Sequence, residues 1–557
     1  MKKQAYNFLK LQAERDKASK QERGELIQLF PSESDIPEKF RLNSNLDQHR
    51  VLIDGQIIPW KGALAEVFSP IYIKNGDSLD RKRIGSYPAM TRQAALKALD
   101  SARRAFSSGN GTWPSFPLSR RIESIEKFLE RLENQKENIL RTLLWEIAKP
   151  YHELEDEFER TRQYIEQVIK VAGQKEKDSF LLKKEKGILG LIHNEPYGIA
   201  LCLGPYNYPL FETFSLVLPA LLAGNVVIIK PPKFGVLFFD FLLEAFQDCF
   251  PPGAVNIISG DGKKIIEPLM KSGEVDVLAF IGSAETANRL ISLHPRKNRL
   301  HSLLGLGAKN AAIVLPDADL DVVVAESVLG ALAFNGQRCA ALKIFFVHKE
   351  IEATFRKRLL DAVSKINLGM PWMERVRITP IVDPERLPYL HELVREALNK
   401  GARIGNKNGG RSLESIFVPA VLYQVNSKMR IYWEEQFGPI IPIVSYHDIK
   451  EPVTYISNSP FGQQLSIFGT KTKTLIELID LVKNQVSRVN INTKCQRGPD
   501  LFPFTGKKDS AHGDFSILNI LDYFSSQAVV AARETELSQA LFQSLQLPKN
   551  LDIYQGS

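Results

Sequence analysis

Cys339, in Phe334-Asn335-Gly336-Gln337-Arg338-Cys339-Ala340-Ala341, carries the clearest chemical signal in the chain. An arginine and two small residues around a cysteine make a poor setting for a core filler. A free thiol ionises near pH ~8.5, and a neighbouring cation or a helix N-terminus draws it toward the reactive thiolate. A nucleophile with a lowered pKa, beside a helix start, is therefore expected; a structural thiol is the alternative. Three further segments bear on the choice. Gly204-Pro205-Tyr206-Asn207-Tyr208-Pro209 follows one apolar run, and Ile229-Lys230-Pro231-Pro232-Lys233 closes the next. Phe280-Ile281-Gly282-Ser283-Ala284-Glu285-Thr286 follows a later one and opens a helical pattern, where free N–H groups and the helix dipole suit a phosphate. The G-x-G-x-x-G fingerprint is missing after these runs, so a dinucleotide would have to be held in another way.

Residues so dispersed need an α/β scaffold to bring them together. Short apolar runs at 198–203, 225–229, 254–258 and 276–281 alternate with helical stretches. That rhythm predicts βαβ units on a parallel sheet. Amphipathic helices are expected at 93–107 and 119–143, with a further helical run at 151–171. Lysines alternating with Phe180, Leu181 and Leu182 over 175–186, followed by 188–193, predict two exposed strands of a hairpin whose edge invites pairing with another subunit. A second α/β block spans about 309–470, with apolar runs at 311–315 and 344–347.

Composition removes several classes of function. The 557 residues exceed what one core supports, about 250–300, so two or three domains are expected. The four cysteines lie far apart, which argues against a disulfide framework or a zinc site and for a reducing, cytoplasmic setting. A net charge of +8 is spread over 72 basic and 64 acidic residues, without a basic tract interleaved with aromatics, so no nucleic-acid partner is expected. The most apolar region, 199–246, is interrupted by Pro205, Pro209, Glu212, Pro219, Lys230 and Lys233, so no membrane span is expected.

In this order, the asparagine turn, K-P-P, F-I-G-S, G-Q-R-C and Trp433-Glu434-Glu435-Gln436-Phe437-Gly438-Pro439 resemble the aldehyde dehydrogenase superfamily over residues from about 50 to 530. Asn490-Ile491-Asn492-Thr493-Lys494-Cys495-Gln496-Arg497-Gly498-Pro499-Asp500, followed by Phe502-Pro503-Phe504, looks like the NADP-dependent non-phosphorylating glyceraldehyde-3-phosphate dehydrogenases within it. The resemblance implies a Rossmann-type cofactor domain, an α/β catalytic domain and a β oligomerisation flap. The expected division is a helical appendage at 1–45, a cofactor domain at 46–308 with the hairpin at 173–196, and a catalytic domain at 309–488. A substrate-loop and oligomerisation segment at 489–531 and a tail at 532–557 follow, and a homodimer or homotetramer is implied.

The resemblance also implies roles. Cys339 adds to an aldehyde carbon, and the Asn207 side-chain amide with the Cys339 N–H stabilises the oxyanion. Pro205, Lys230, Lys233, Gly282, Ser283, Glu435 and Phe437 hold the cofactor. Arg160, Tyr208, Arg338 and Arg497 hold the phosphate and hydroxyl of a small phosphorylated aldehyde, glyceraldehyde 3-phosphate first; an arginine fork suits phosphate. Lys233 stands where many relatives carry a carboxylate that favours NAD, so NADP is the expected cofactor, with NAD possible.

One position departs from the pattern. The family reads E-L-G-G-K where this chain reads Gly305-Leu306-Gly307-Ala308-Lys309, so glycine replaces the glutamate that activates the hydrolytic water. General-base catalysis contributes roughly 10²–10⁴-fold. Acylation is expected to survive while water-dependent release slows. The remaining possibilities are a substitute base (His301, one helical turn upstream if that segment is helical, or His512 or Asp509), transfer to coenzyme A or another acceptor, unassisted water, or an impaired pseudoenzyme that still binds cofactor.

Overall fold

The computed structural model describes residues 24–546, apart from residues 43, 77 and 180. Its first sheet contains five parallel strands: β1 (Ile199–Leu203), β2 (Val226–Lys230), β3 (Val255–Ile257), β4 (Val277–Ile281) and β5 (His301–Gly305), in the order β3-β2-β1-β4-β5. Every residue of β1 is buried, as befits a strand covered on both faces by helices. The chain order reverses between β1 and β4, and in such sheets ligands bind beyond the carboxyl ends of the strands at that point.

A second sheet follows. Its strands β6 (Ala311–Val314), β7 (Ile344–His348), β8 (Ala420–Tyr423), β9 (Ile440–Tyr446), β10 (Gln464–Phe468) and β11 (Arg488–Ile491) are parallel, in the order β8-β9-β7-β6-β10-β11. The apolar runs at 198–203, 225–229, 254–258, 276–281, 311–315 and 344–347 thus coincide with strands.

Three local readings need correction. The stretch 119–143 is two helices, Leu118–Asn134 and Lys136–Ile147, because Gln135 leaves helical geometry at φ −101° and ψ 4°. The helix α1 (Tyr151–Ser179) runs into the lysine-rich stretch as far as Ser179, so the hairpin consists of Lys183–Glu185 and Ile188–Pro196. Helix α1 packs against helix α2 (Phe211–Leu222), which is buried on all sides. Finally, the segment around His301 is a strand, not a helix.

Ser525–Arg533 pairs antiparallel with Ile188–Pro196 to make a three-stranded sheet. A helix at Glu536–Gln546 closes it, with Phe542 buried against Leu189 and Leu191. At the other end, Phe30 and Ile36 are buried in the main core, so the part of the N-terminal appendage within the described residues is docked. Residues 1–23 and 547–557 of the appendage and tail lie outside the described residues. No described helix is long and apolar enough to cross a membrane.

Candidate active site

The carboxyl ends of β1, β2, β4 and β5 open into one cavity of about 540 Å³. Pro205, Asn207, Lys230, Lys233, Gly282, Ser283, Cys339, Glu435 and Phe437 all line it, so residues spread over more than two hundred positions converge. The turn after β1 is fixed from below. Lys149 and Glu157 form a fully buried ion pair; Lys149 Nζ donates to the Asn207 carbonyl at 3.1 Å, and Glu157 Oε1 accepts the N–H groups of Leu210 (3.1 Å) and Phe211 (3.0 Å). Asn207 Nδ2 donates to the Gln337 carbonyl at 2.7 Å, tying this turn to the cysteine loop and leaving its second N–H for a ligand.

The cysteine loop is strained. Phe334 and Asn335 have φ of 46° and 57°, a left-handed geometry that suits asparagine but is costly for phenylalanine. Asn335 is held by a pair of hydrogen bonds with the Thr379 backbone, each 3.0 Å. The Cys339 carbonyl accepts from Asn310 Nδ2 at 2.8 Å and Lys343 Nζ at 2.9 Å. No described residue accepts the Cys339 N–H, which is free for an oxyanion.

Two expectations for Cys339 are corrected. It lies in a turn after a short 3₁₀ segment (Ala333–Gly336), not at a helix start. Its thiol is pushed up, not down. Burial is the main cause and the Glu212 carboxylate the next, against the lowering pull of Lys343, a hydrogen bond from Gln463, and Arg497. Arg338 and Cys339 do attract each other, but desolvation outweighs the neighbouring cation.

The wall expected to meet the cofactor offers a fitting donor set. Ser283 caps helix α3 (Ala284–Leu293), its hydroxyl accepting Thr286 N–H at 3.2 Å, which points the helix N-terminus into the cavity. Lys230 ends β2 with no acceptor among the described residues, and burial pushes its ammonium down to about 8. A half-buried cation with no acceptor among the described residues suits the oxygens of a nucleotide. Lys233 is exposed, 3.6 Å from Glu385. Glu435 accepts from Ala308 N–H at 3.2 Å and pairs with Lys343, and Phe437 meets Tyr206 edge-on at 6.0 Å.

The sequence profile of the aldehyde dehydrogenase family matches residues 71–530. The chain belongs to the aldehyde dehydrogenase family. The NADP-dependent glyceraldehyde-3-phosphate dehydrogenase of Streptococcus equinus is 31% identical over 442 residues, 78% of this chain and 89% of that one. The protein of the same name from Pisum sativum is also 31% identical over 442 residues, covering 78% and 86%. The crystal structure of the Bacillus halodurans C-125 enzyme of that name, complexed with NADP, superposes with a TM-score of 0.79 at 29% identity, covering 89% of this chain and 100% of that one.

Within this aldehyde dehydrogenase, the four residues expected to hold a phosphate stand beside the cavity rather than on its wall. Arg160 forks onto Asp500 at 3.0 and 2.7 Å. Arg497 pairs with Glu212 and lies 3.6 Å from Asp500, enclosed by Phe211 and Phe504. Tyr208 lies under Lys149 Nζ, 3.3 Å from its ring centre. No described side chain hydrogen-bonds the Arg338 guanidinium. The pairing of two arginines with carboxylates is a feature the sequence reading missed.

Gly305 sits on the cavity wall, and a Cβ built there would lie 3.2 Å from Ile281 Cγ1 and 3.3 Å from Phe515 Cζ. None of the three alternative bases lines the cavity. His301 stacks on Tyr197 at 3.6 Å, four residues of extended strand (roughly 13 Å) from Gly305. His512 is exposed with Nδ1 2.7 Å from the Ser302 carbonyl, and Asp509 is exposed in a turn. Glu212 does line the cavity. Its signal was a lone charge inside an apolar helix; Lys149, Glu157, Lys343 and Gln463 gave none.

Proposed function

We propose that the protein oxidises a small aldehyde with NADP through a covalent intermediate on Cys339, with glyceraldehyde 3-phosphate as the first substrate to try. The observation that carries this reading is the convergence of Cys339, Asn207 and the Lys230–Ser283–Glu435 wall on one cavity. The Cys339 thiolate adds to the aldehyde carbon to give a thiohemiacetal. Asn207 Nδ2 and the Cys339 N–H donate to its oxyanion, and one such donor is typically worth about 2.7–4 kcal/mol. Bound against Lys230, Ser283 and Glu435, NADP supplies the hydride acceptor. Cys339 is left acylated. The preference for NADP over NAD rests on Lys233, whose exposed ammonium has only a distant carboxylate partner and suits a 2′-phosphate. The phosphate of the substrate falls to Arg338, Tyr208, Arg160 and Arg497, the last two turning to it from Asp500, the carboxylate they share.

Release is the slow step in this reading, because Gly305 brings no base. Rapid mixing with glyceraldehyde 3-phosphate and NADP tests both halves. A burst of NADPH equal to the enzyme, followed by slow turnover, is expected; absence of a burst overturns the reading. Addition of coenzyme A during the slow phase tests it as acceptor. The proposal extends to a cytoplasmic homo-oligomer. Its support is the set of four free thiols and the strand Ser525–Arg533, on which Val529 and Val530 are 64% and 47% exposed.

A further inference from the structure

Loss of the glutamate at 305 does not leave the cavity without carboxylates. Two line it, Glu435 and Glu212. Glu435 takes both the Lys343 ammonium and the Ala308 N–H on Oε1, and it stands on the wall proposed for the cofactor. Glu212 stands on the other side, in the helix that follows the asparagine turn. Its Oε2 pairs with Arg497, while Oε1 has no donor among the described residues. It stands in the first turn of α2, five residues after the oxyanion donor Asn207, and only 7% of its surface is exposed. Its charge is felt at the Cys339 sulfur, where it is the largest electrostatic influence raising the thiol. A rigid helix therefore presents a carboxylate with one uncommitted oxygen to the cavity that contains the nucleophile.

The geometry points to Glu212 as the general base that activates water to release the acyl group from Cys339. The assignment rests on the thioacyl enzyme proposed above. As the water oxygen bonds to the thioester carbon, one water proton passes to Glu212 Oε1. The tetrahedral oxyanion draws on Asn207 Nδ2 and the Cys339 N–H. Its collapse breaks the C–S bond, giving the carboxylic acid and the Cys339 thiolate. The acid ionises and the proton on Glu212 returns to solvent, so no oxidant or further reactant is needed. Arg497 pairs with Oε2 and so aligns the Glu212 carboxylate, and the same guanidinium stabilises the Cys339 thiolate as it leaves. The charge that makes Glu212 a base also disfavours the resting thiolate, so this residue opposes ionisation of Cys339 while speeding its release.

The test uses 4-nitrophenyl acetate with the full chain, which acylates a reactive cysteine without cofactor. The wild type is expected to release about one nitrophenolate per site in a burst, followed by a steady phase set by deacylation. Glu212→Gln retains the burst, slows the steady phase by about 10²-fold or more, and accumulates acetylated Cys339 by intact mass spectrometry. Glu212→Asp falls between the two. Hydroxylamine, a nucleophile that needs no general base, cleaves both acyl enzymes at the same rate. Unchanged deacylation in Glu212→Gln overturns the assignment. So does a Glu212→Gln acyl enzyme that also resists hydroxylamine, since that marks a misshapen site. A wild type with no burst from either ester or aldehyde overturns the thioacyl reading itself, whereas a burst with Glu212-independent release overturns only this inference.

Discussion

Lys230 allows the cofactor site to be probed without turnover. Burial lowers its ammonium from 10.5 to about 8, only weakly opposed by Asp261. A displacement of that size corresponds to about 3 kcal/mol of penalty on the charged form, as an order of magnitude. The sign follows from proton linkage. Below about pH 8 both folded and unfolded chains carry the proton, and the penalty is complete. As pH rises from about 8 to 10.5 the unfolded chain binds more protons than the folded one, so stability rises and the penalty fades. Lys230→Met replaces the ammonium with an apolar group of similar length at the end of β2. At pH 7 this variant should gain up to about 3 kcal/mol against denaturant, a gain that shrinks toward zero by pH 10.5. The same substitution removes the cation proposed to face the nucleotide, so NADP binding by titration calorimetry should weaken by at least 10-fold at pH 7. Wild-type affinity should itself decline as pH climbs past 8. Greater stability with undiminished NADP affinity would refute the assignment of Lys230 to the cofactor. Lower stability would refute the claim that its charge is without a partner.

Two further perturbations address the cysteine and its support. The raised Cys339 thiol predicts that alkylation by iodoacetamide in the absence of ligand increases through pH 9 and beyond; a plateau reached by pH 7 would contradict it. Lys149→Met strands the buried Glu157 carboxylate beneath the asparagine turn and should cost about 3–5 kcal/mol in urea unfolding. A loss below 1 kcal/mol would show that the pair is not what holds the turn.

The limits of the sequence reading have physical causes. Strands such as β1 and β2 were legible because parallel strands buried on both faces read as unbroken apolar runs. Strand β5 was not, because it begins His301-Ser302 and ends in glycine, with only Leu303 and Leu304 fully buried. The end of α1 was misplaced because lysines on its exposed face look the same on a helix as on an edge strand. Cys339 and Asn207 were singled out by their neighbours in the chain, and both line the cavity. The direction of the thiol shift was not, since burial depends on segments far from Gln337-Arg338-Cys339. The pair Glu212–Arg497 joins residues 285 positions apart, and no local pattern announces it.

Gly305 and Glu212 are also connected through packing. The space that a side chain at 305 would enter is bounded by Ile281 and Phe515. Phe515 is anchored by its carbonyl, which accepts from the buried Tyr164 hydroxyl at 3.0 Å, and its ring lies 5.9 Å from the Arg497 guanidinium. Tyr164 and Phe211 flank that guanidinium as well. A glutamate restored at 305 would press on Phe515, and Phe515 cannot shift freely without disturbing the aromatic enclosure that holds Arg497 against Glu212. The vacancy at one wall and the carboxylate at the other therefore form one arrangement. The base proposed on α2 stands beside Arg497, the guanidinium proposed to receive the substrate's anionic group. On that proposal, substrate binding and acyl release are coupled through a single buried side chain.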